Sequence, residues 1–142
     1  MINESLEPNE FDRKKFDLDL SYGKVREKQV ADMLQDKKIE VKSERGMWMN
    51  TGNIAIEYEC NGKPSGIQTT ESDYWFHNLC IGDDTYATIV FKTDNLRDIL
   101  NTTKGKRQVY GGDNNAAKMF LISLQGLFSR GNIQAYSERN NK

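Results

Sequence analysis

The chain has 142 residues, 37% hydrophobic and 29% charged, with a formal net charge of −1 at pH 7. This length and composition predict one soluble globular domain, and no apolar run approaches the roughly 18 residues that would span a membrane. The near-neutral net charge is atypical of a strong nonspecific nucleic-acid binder. Residues 104–142 nevertheless carry seven basic against two acidic residues, a balance compatible with phosphate binding.

The rare residues and the N-terminus narrow the class of protein and its compartment. Cys60 and Cys80 lack the spacing of metal ligands, which predicts reduced thiols in a cytosolic protein. The only histidine is His77, which excludes zinc sites that need two histidines. Residues 1–10 are acidic and contain no apolar stretch, so no signal peptide is expected there. These features together predict a cytoplasmic protein.

The predicted elements begin with a polar N-terminal arm over residues 1–15, followed by one domain over 16–142. Residues 16–20 alternate between apolar and acidic side chains, which predicts a short strand or an extended entry. Ser21 then fits the cap of a helix over residues 22–35.

Glu27 lies on the apolar stripe of this predicted helix. It precedes Val30, Ala31 and Leu34 by three, four and seven residues, which is the spacing of one helical face. A carboxylate on a buried stripe is unusual unless it is paired or ligates a metal ion. The alternative is a rotated helix with Glu27 at its exposed rim.

Two strand-like runs follow, over residues 38–44 and 53–59. Side chains alternate between the two faces of a strand, so each run gathers its charged residues on one face. If the runs pair, four carboxylates and one lysine share a patch, and like charges opposite each other destabilise a sheet. Solvation or a divalent cation would relieve that repulsion. The patch consists of Glu40, Lys42, Glu44, Glu57 and Glu59.

Three bulky apolar residues occupy the connector between these runs. Met47, Trp48 and Met49 are expected in the core or at a dimer contact, with a DNA-facing wedge as the alternative.

The rest of the chain alternates helices and strands, with a turn over residues 61–66. Thr70 is expected to cap an aromatic helix over 71–79. The order predicts an α/β or α+β domain with a small mixed central sheet flanked by helices. The remaining elements are a strand over 86–92, a short helix capped by Asp94, a strand over 108–110 and a buried helix over 115–128.

Residues 17–80 resemble the core of the PD-(D/E)xK nuclease superfamily, which has the restriction-endonuclease-like fold. The resemblance is carried by Glu40-Val41-Lys42, by Glu27 on the preceding helix and by the acidic second run with Glu57. The segments 39–44, 51–59 and 62–67 also look like small phage-encoded members of this group. The resemblance implies a restriction-endonuclease-like core and a phage protein that acts in the host cytoplasm.

The resemblance further implies a Mg²⁺ or Mn²⁺ site that hydrolyses phosphodiester bonds of DNA. Glu40 and Lys42 match the E-x-K pair, and Glu27 matches the helix glutamate of Holliday-junction resolvases. Glu57 would be an additional acidic ligand. The implied metal ligands are therefore Glu27, Glu40 and Glu57. Lys42 would orient the attacking water or stabilise the transition state.

The chain departs from the family pattern because no Pro-Asp precedes Glu40 on its own strand. The missing acidic role falls to Glu57, Glu44 or Asp36. Alternatively, Glu40 takes the first acidic position and Glu57 the second, with Lys42 as a migrated lysine. The departure also leaves open an inactive descendant of the family.

Three residues near the predicted turn are candidates for holding a substrate phosphate. Lys63 and Ser65 lie in the turn, and Thr70 lies at the expected helix N-terminus, where backbone N–H groups favour anions. The alternative for this segment is a plain turn.

The leading hypothesis is a Mg²⁺-dependent DNA endonuclease, with branched DNA such as a four-way junction as the first choice of substrate. A homodimer is expected, because junction cleavage needs two symmetric sites. The alternative is a non-catalytic regulator that binds nucleic acid or protein on a degenerate nuclease scaffold. The near-neutral charge and the missing Pro-Asp favour that alternative.

Overall fold

The structure is a computed structural model that describes residues 9–141. Within them the chain forms five α-helices and seven β-strands, which confirms the predicted α/β class. The chain divides into two compact units, Met1–Lys37 and Lys38–Lys142. No helix in the described part is long and apolar enough to cross a membrane.

The first unit contains one helix, α1 (Glu10–Met33). Asn9 begins it through a capping box: its Oδ1 accepts the Asp12 N–H at 2.8 Å, and the Asp12 carboxylate accepts the Asn9 N–H at 3.3 Å. The predicted strand at 16–20 and the predicted start at Ser21 are wrong, because the cap lies twelve residues earlier. Five alternating residues are too few to exclude a helix.

The predicted polar arm over residues 1–15 overlaps this helix. Residues 1–8 lie outside the described residues, whereas residues 10–15 are the first turns of α1. Glu27 lies on α1, where no side chain is buried, and Asp36 follows the helix in a left-handed turn conformation.

In the second unit, the first sheet has the strand order β1-β4-β5. Strand β1 (Ile39–Glu44) runs parallel to β4 (Tyr74–Ile81), and β5 (Asp84–Lys92) pairs antiparallel with β4. The predicted aromatic helix over 71–79 is wrong, since this segment is β4. Alternate residues of β4 are buried, and aromatic residues favour strands.

The second sheet is antiparallel throughout, in the order β3-β2-β7-β6. Its strands are β2 (Asn53–Cys60), β3 (Lys63–Pro64), β6 (Arg107–Gly111) and β7 (Ala117–Ser123). The predicted helix over 115–128 is wrong, because residues 117–123 form β7 and only residues 124–127 are helical. A short run that is apolar on every side fits a buried strand as well as a buried helix, and here β2 and β6 cover both edges.

Four helices complete the second unit. They are α2 (Met47–Thr51), α3 (Thr93–Thr102), α4 (Leu124–Leu127) and α5 (Arg130–Asn140). The core packs side chains from both sheets against α3 and α4. Its members include Ile54, Ile56, Trp75, Leu79, Leu96, Leu100, Ile122 and Leu127.

The two acidic runs belong to different sheets, since β1 pairs with β4 and β2 pairs with β7. The prediction that they form adjacent strands with Glu40, Lys42 and Glu57 on one face is therefore wrong. The parallel partner of β1 comes 30 residues later in the chain, and local alternation carries no information about that choice. The predicted single central sheet is accordingly two sheets.

Candidate active site

A cavity of about 280 Å³ opens where the two sheets meet. Strand β1 contributes Lys42 and Glu44 to its wall, and β2 contributes Glu57. The cavity therefore brings together two of the predicted site residues, although their strands do not pair. Its other lining residues are Ser43, Ala55, Trp75, His77 and Met119.

The charged face of β1 points inward, opposite to the usual arrangement of a surface strand. Residues aligned across neighbouring strands project to the same side. Lys42 aligns with the buried His77 and Glu44 with the buried Leu79. The apolar Val41 points outward instead and is 55% exposed. Among these charges only Glu44 is mostly buried, since Lys42 keeps 42% of its side chain exposed. A carboxylate turned inward is costly unless it is hydrogen-bonded, so Glu44 needs partners in the wall.

A chain of hydrogen bonds fixes Glu44 in this wall. The indole Nε1–H of Trp75 donates to His77 Nδ1 at 3.1 Å, which leaves the histidine proton on Nε2. That Nε2–H donates to Glu44 Oε1 at 2.9 Å. The backbone N–H of Ala55 donates to the same oxygen. His77 is 1% exposed, so burial holds its ring in this orientation.

Glu44 thus has one carboxylate oxygen engaged and one available. Within residues 9–141 its hydrogen bonds all end on Oε1, and its side chain is 19% exposed. Glu44 is only an alternative acidic ligand in the sequence-based prediction, and His77 has no role in it. The spacing of two between Trp75 and His77 would place both side chains on one face of a strand. It has no such meaning in the helix predicted for residues 71–79.

Glu57 is held in a similar way from the opposite wall. Ser65 Oγ donates to Glu57 Oε2 at 2.9 Å. The turn at Asn61 and Gly62, both with positive φ, folds β3 back along β2 and brings Ser65 to this position. Gly66 then packs so closely that a Cβ there would lie 2.1 Å from the Glu57 carbonyl oxygen. Ser65 therefore serves a carboxylate, whereas a phosphate partner was predicted.

Lys42 forms an ion pair with Glu40, with Nζ 3.2 Å from Oε1. The two side chains are 42% and 36% exposed, respectively. Glu40 is not among the residues that line the cavity. The structure therefore places Glu40 as the partner of Lys42 at the rim, while Lys42 reaches the cavity wall.

The other predicted phosphate ligands lie elsewhere. Lys63 is exposed on β3. Thr70 Oγ1 bonds to the Ser72 hydroxyl at 3.0 Å, and its carbonyl accepts from Arg97 Nη2 at 2.6 Å. The predicted anion site at a helix N-terminus after Thr70 is wrong, because β4 follows and no helix begins there.

The carboxylates of the cavity are of the ligand type that hard divalent cations use. Within residues 9–141 no three His, Cys, Asp or Glu side chains gather closely enough to hold a metal ion by themselves. Mg²⁺ commonly uses one or two carboxylates and completes its shell with water and substrate phosphate. Glu44 and Glu57 line the same cavity and supply two carboxylates. Glu27 lies in the other unit, so its role as a ligand stays a prediction.

Comparisons with protein-family models, with curated proteins and with solved structures found no match. The resemblance to the PD-(D/E)xK superfamily therefore stays a prediction made from the residues, and the candidate site depends on its own geometry.

Proposed function

We propose that the protein is a metal-dependent DNA endonuclease whose active site is the cavity lined by Lys42, Glu44 and Glu57. The observation that carries this proposal is the hydrogen-bonded chain from Trp75 through His77 to Glu44. A buried histidine of fixed tautomer donates to one oxygen of the carboxylate and so orients it, in the way that hydrogen-bond partners behind metal ligands and catalytic groups orient those groups.

The side chains of the cavity have distinct roles in this proposal. Glu44, through Oε2, and Glu57 would hold Mg²⁺ or Mn²⁺, which supplies Lewis acidity and lowers the pKa of bound water. Lys42 binds a non-bridging phosphate oxygen and stabilises the charge that develops there. Ser65 keeps Glu57 aimed at the cavity. Without substrate, Glu40 holds the Lys42 ammonium at the rim of the cavity. A substrate phosphate then replaces Glu40 as the partner of Lys42.

The substrate and the assembly follow the sequence-based predictions. Branched DNA is the proposed substrate, and a homodimer is the proposed assembly. Residues 117–123 of the predicted buried helix form β7 between β2 and β6, so they offer no helical face for this contact. The exposed Met47 and Met49 of α2 remain available for this contact.

The test is cleavage of three labelled DNAs by the purified protein. Linear duplex, single strand and four-way junction are incubated with Mg²⁺, Mn²⁺ or EDTA. We expect metal-dependent cleavage that Lys42→Ala, Glu44→Gln and Glu57→Gln abolish. Lys92→Ala and Glu138→Gln are exposed controls that should cleave like the wild type.

No cleavage of any DNA with either metal would contradict the proposal. It would favour the alternative of a non-catalytic regulator on a degenerate nuclease scaffold. The absence of a cluster of three His, Cys, Asp or Glu side chains from residues 9–141 is consistent with that alternative.

A further inference from the structure

A second surface of the molecule combines aromatic rings with lysines. One face of the second sheet carries Tyr58 from β2, Phe120 from β7 and Tyr110 from β6, together with Lys106 and Lys118. We call these five residues the aromatic–lysine face. Lys118 aligns with Tyr110 across the β6–β7 pair, so both project to the same side. None of the five lines the candidate active site.

The rings and ammonium groups of this face are already in contact. The rings of Tyr58 and Phe120 stack with their centroids 4.3 Å apart. Lys106 Nζ lies 5.9 Å from the centroid of Phe120, and Lys118 Nζ lies 5.9 Å from that of Tyr110. Both distances are within the range of cation–π contacts. Tyr110 is 67% exposed, so its ring is open to a further stacking partner.

A groove of about 320 Å³ continues this face towards α3. Phe120 forms part of its wall, and the exposed amides of Gln68 and Asn101 stand along it. Amide side chains can donate to and accept from the edges of nucleobases. The groove therefore places hydrogen-bonding groups beside Phe120, whose ring is already stacked by Tyr58.

One acidic residue moderates the positive charge of the face. Glu59 Oε2 lies 2.8 Å from Lys118 Nζ. The hydrogen bond to Glu59 and its negative charge raise the pKa of Lys118, which reinforces the positive charge that a lysine carries at neutral pH. Glu59 competes with any phosphate for Lys118, which makes it a residue whose neutralisation should strengthen anion binding.

We propose that the aromatic–lysine face binds single-stranded DNA, with a base stacked on Tyr110, base edges held by the amides of Gln68 and Asn101, and phosphates held by Lys106 and Lys118. Stacking on aromatic side chains combined with basic groups along the backbone is the general mode of sequence-tolerant single-strand binding. Only the choice of DNA as the nucleic acid rests on the proposed nuclease function. The charge complementarity is local, which reconciles DNA binding with a chain of net charge −1.

The test is fluorescence anisotropy of a labelled oligo-dT of about 15 nucleotides, titrated with the full chain in EDTA so that no metal-dependent cleavage occurs. We expect Tyr110→Ala to weaken binding by about fivefold or more, the loss typical of one stacked base. Lys106→Ala should reduce the slope of log Kd against log salt by about 0.7, the contribution of one phosphate contact. Glu59→Gln should tighten binding. Tyr86→Ala, an exposed tyrosine on β5, is the matched control.

Several results would overturn this proposal. One is absence of binding by the wild type, and another is an unchanged affinity in Tyr110→Ala. A third is an equal loss in Tyr110→Ala and Tyr86→Ala. The outcome is separable from that of the nuclease proposal. Binding in EDTA that depends on Tyr110, without cleavage in Mg²⁺, supports this face and contradicts the nuclease. Cleavage in Mg²⁺, together with binding that does not depend on Tyr110, supports the nuclease and contradicts the proposal for the aromatic–lysine face.

Discussion

Replacing His77 with leucine removes the centre of the chain that holds Glu44. Leucine has a similar volume, so packing changes little while both hydrogen bonds of the imidazole are lost. The Trp75 indole N–H is left without a partner in a site where Trp75 is 1% exposed, a loss of about 1–3 kcal/mol. Glu44 loses one charge-assisted donor, which costs less because the Ala55 N–H and solvent remain.

The expected total is a decrease of about 2–4 kcal/mol in the free energy of unfolding. Urea unfolding followed by tryptophan fluorescence measures it directly. His77→Gln is the matched variant, since an amide offers one acceptor to Trp75 and one donor to Glu44. We expect it to recover part of the loss. If His77→Leu were as stable as the wild type, the hydrogen-bonded chain would contribute nothing and the argument from it would fail.

Three further changes probe the rest of the site. Gly66→Ala should destabilise the fold by at least about 1 kcal/mol more than Gly62→Ala in urea unfolding, since both have positive φ but only position 66 meets a backbone oxygen of β2. Ser65→Ala should cost about 1 kcal/mol and slow cleavage, as measured by initial rates, because it frees a cavity carboxylate. Glu40→Gln should change stability by less than about 1 kcal/mol and slow cleavage far less than Lys42→Ala does, since both side chains of the ion pair are more than a third exposed and Glu40 does not line the cavity. Equal stability of Gly66→Ala and Gly62→Ala would contradict the first assignment. Unchanged cleavage in Ser65→Ala would contradict the second, and equal cleavage rates in Glu40→Gln and Lys42→Ala would contradict the third.

The elements that were predicted correctly are those whose own residues show a clear strand, helix or turn pattern. The strands around Glu40 and Glu57 alternate strictly, and the Asn61-Gly62 pair marks a tight hairpin, so β1, β2 and the turn after β2 lie where the sequence places them. The short helix after residue 92 and the strands near 86–92 and 108–110 also agree with the structure. The predicted cap is wrong, however, because Asp94 lies inside the first turn of α3 and the helix begins after Lys92.

The segments that failed are those whose state depends on distant partners. Residues 117–123 become a strand because β2 and β6 pair with both edges. The same holds for the site: Glu44 meets His77 across 33 residues of sequence through the β1–β4 register. No local feature of β1 shows that its charged face turns towards the core.

The dependence of the DNA cleavage rate on Mg²⁺ concentration tests the central claim most directly. Wild type, Glu44→Gln and the exposed control Glu138→Gln are compared on the four-way junction under single-turnover conditions. The proposed site predicts saturable, Mg²⁺-dependent cleavage in the wild type and the control, and a rate at least about a hundredfold lower in Glu44→Gln, as for loss of an electrostatic catalytic group. Cleavage by Glu44→Gln at the wild-type rate and with the same Mg²⁺ dependence would show that the cavity of Lys42, Glu44 and Glu57 is not the active site.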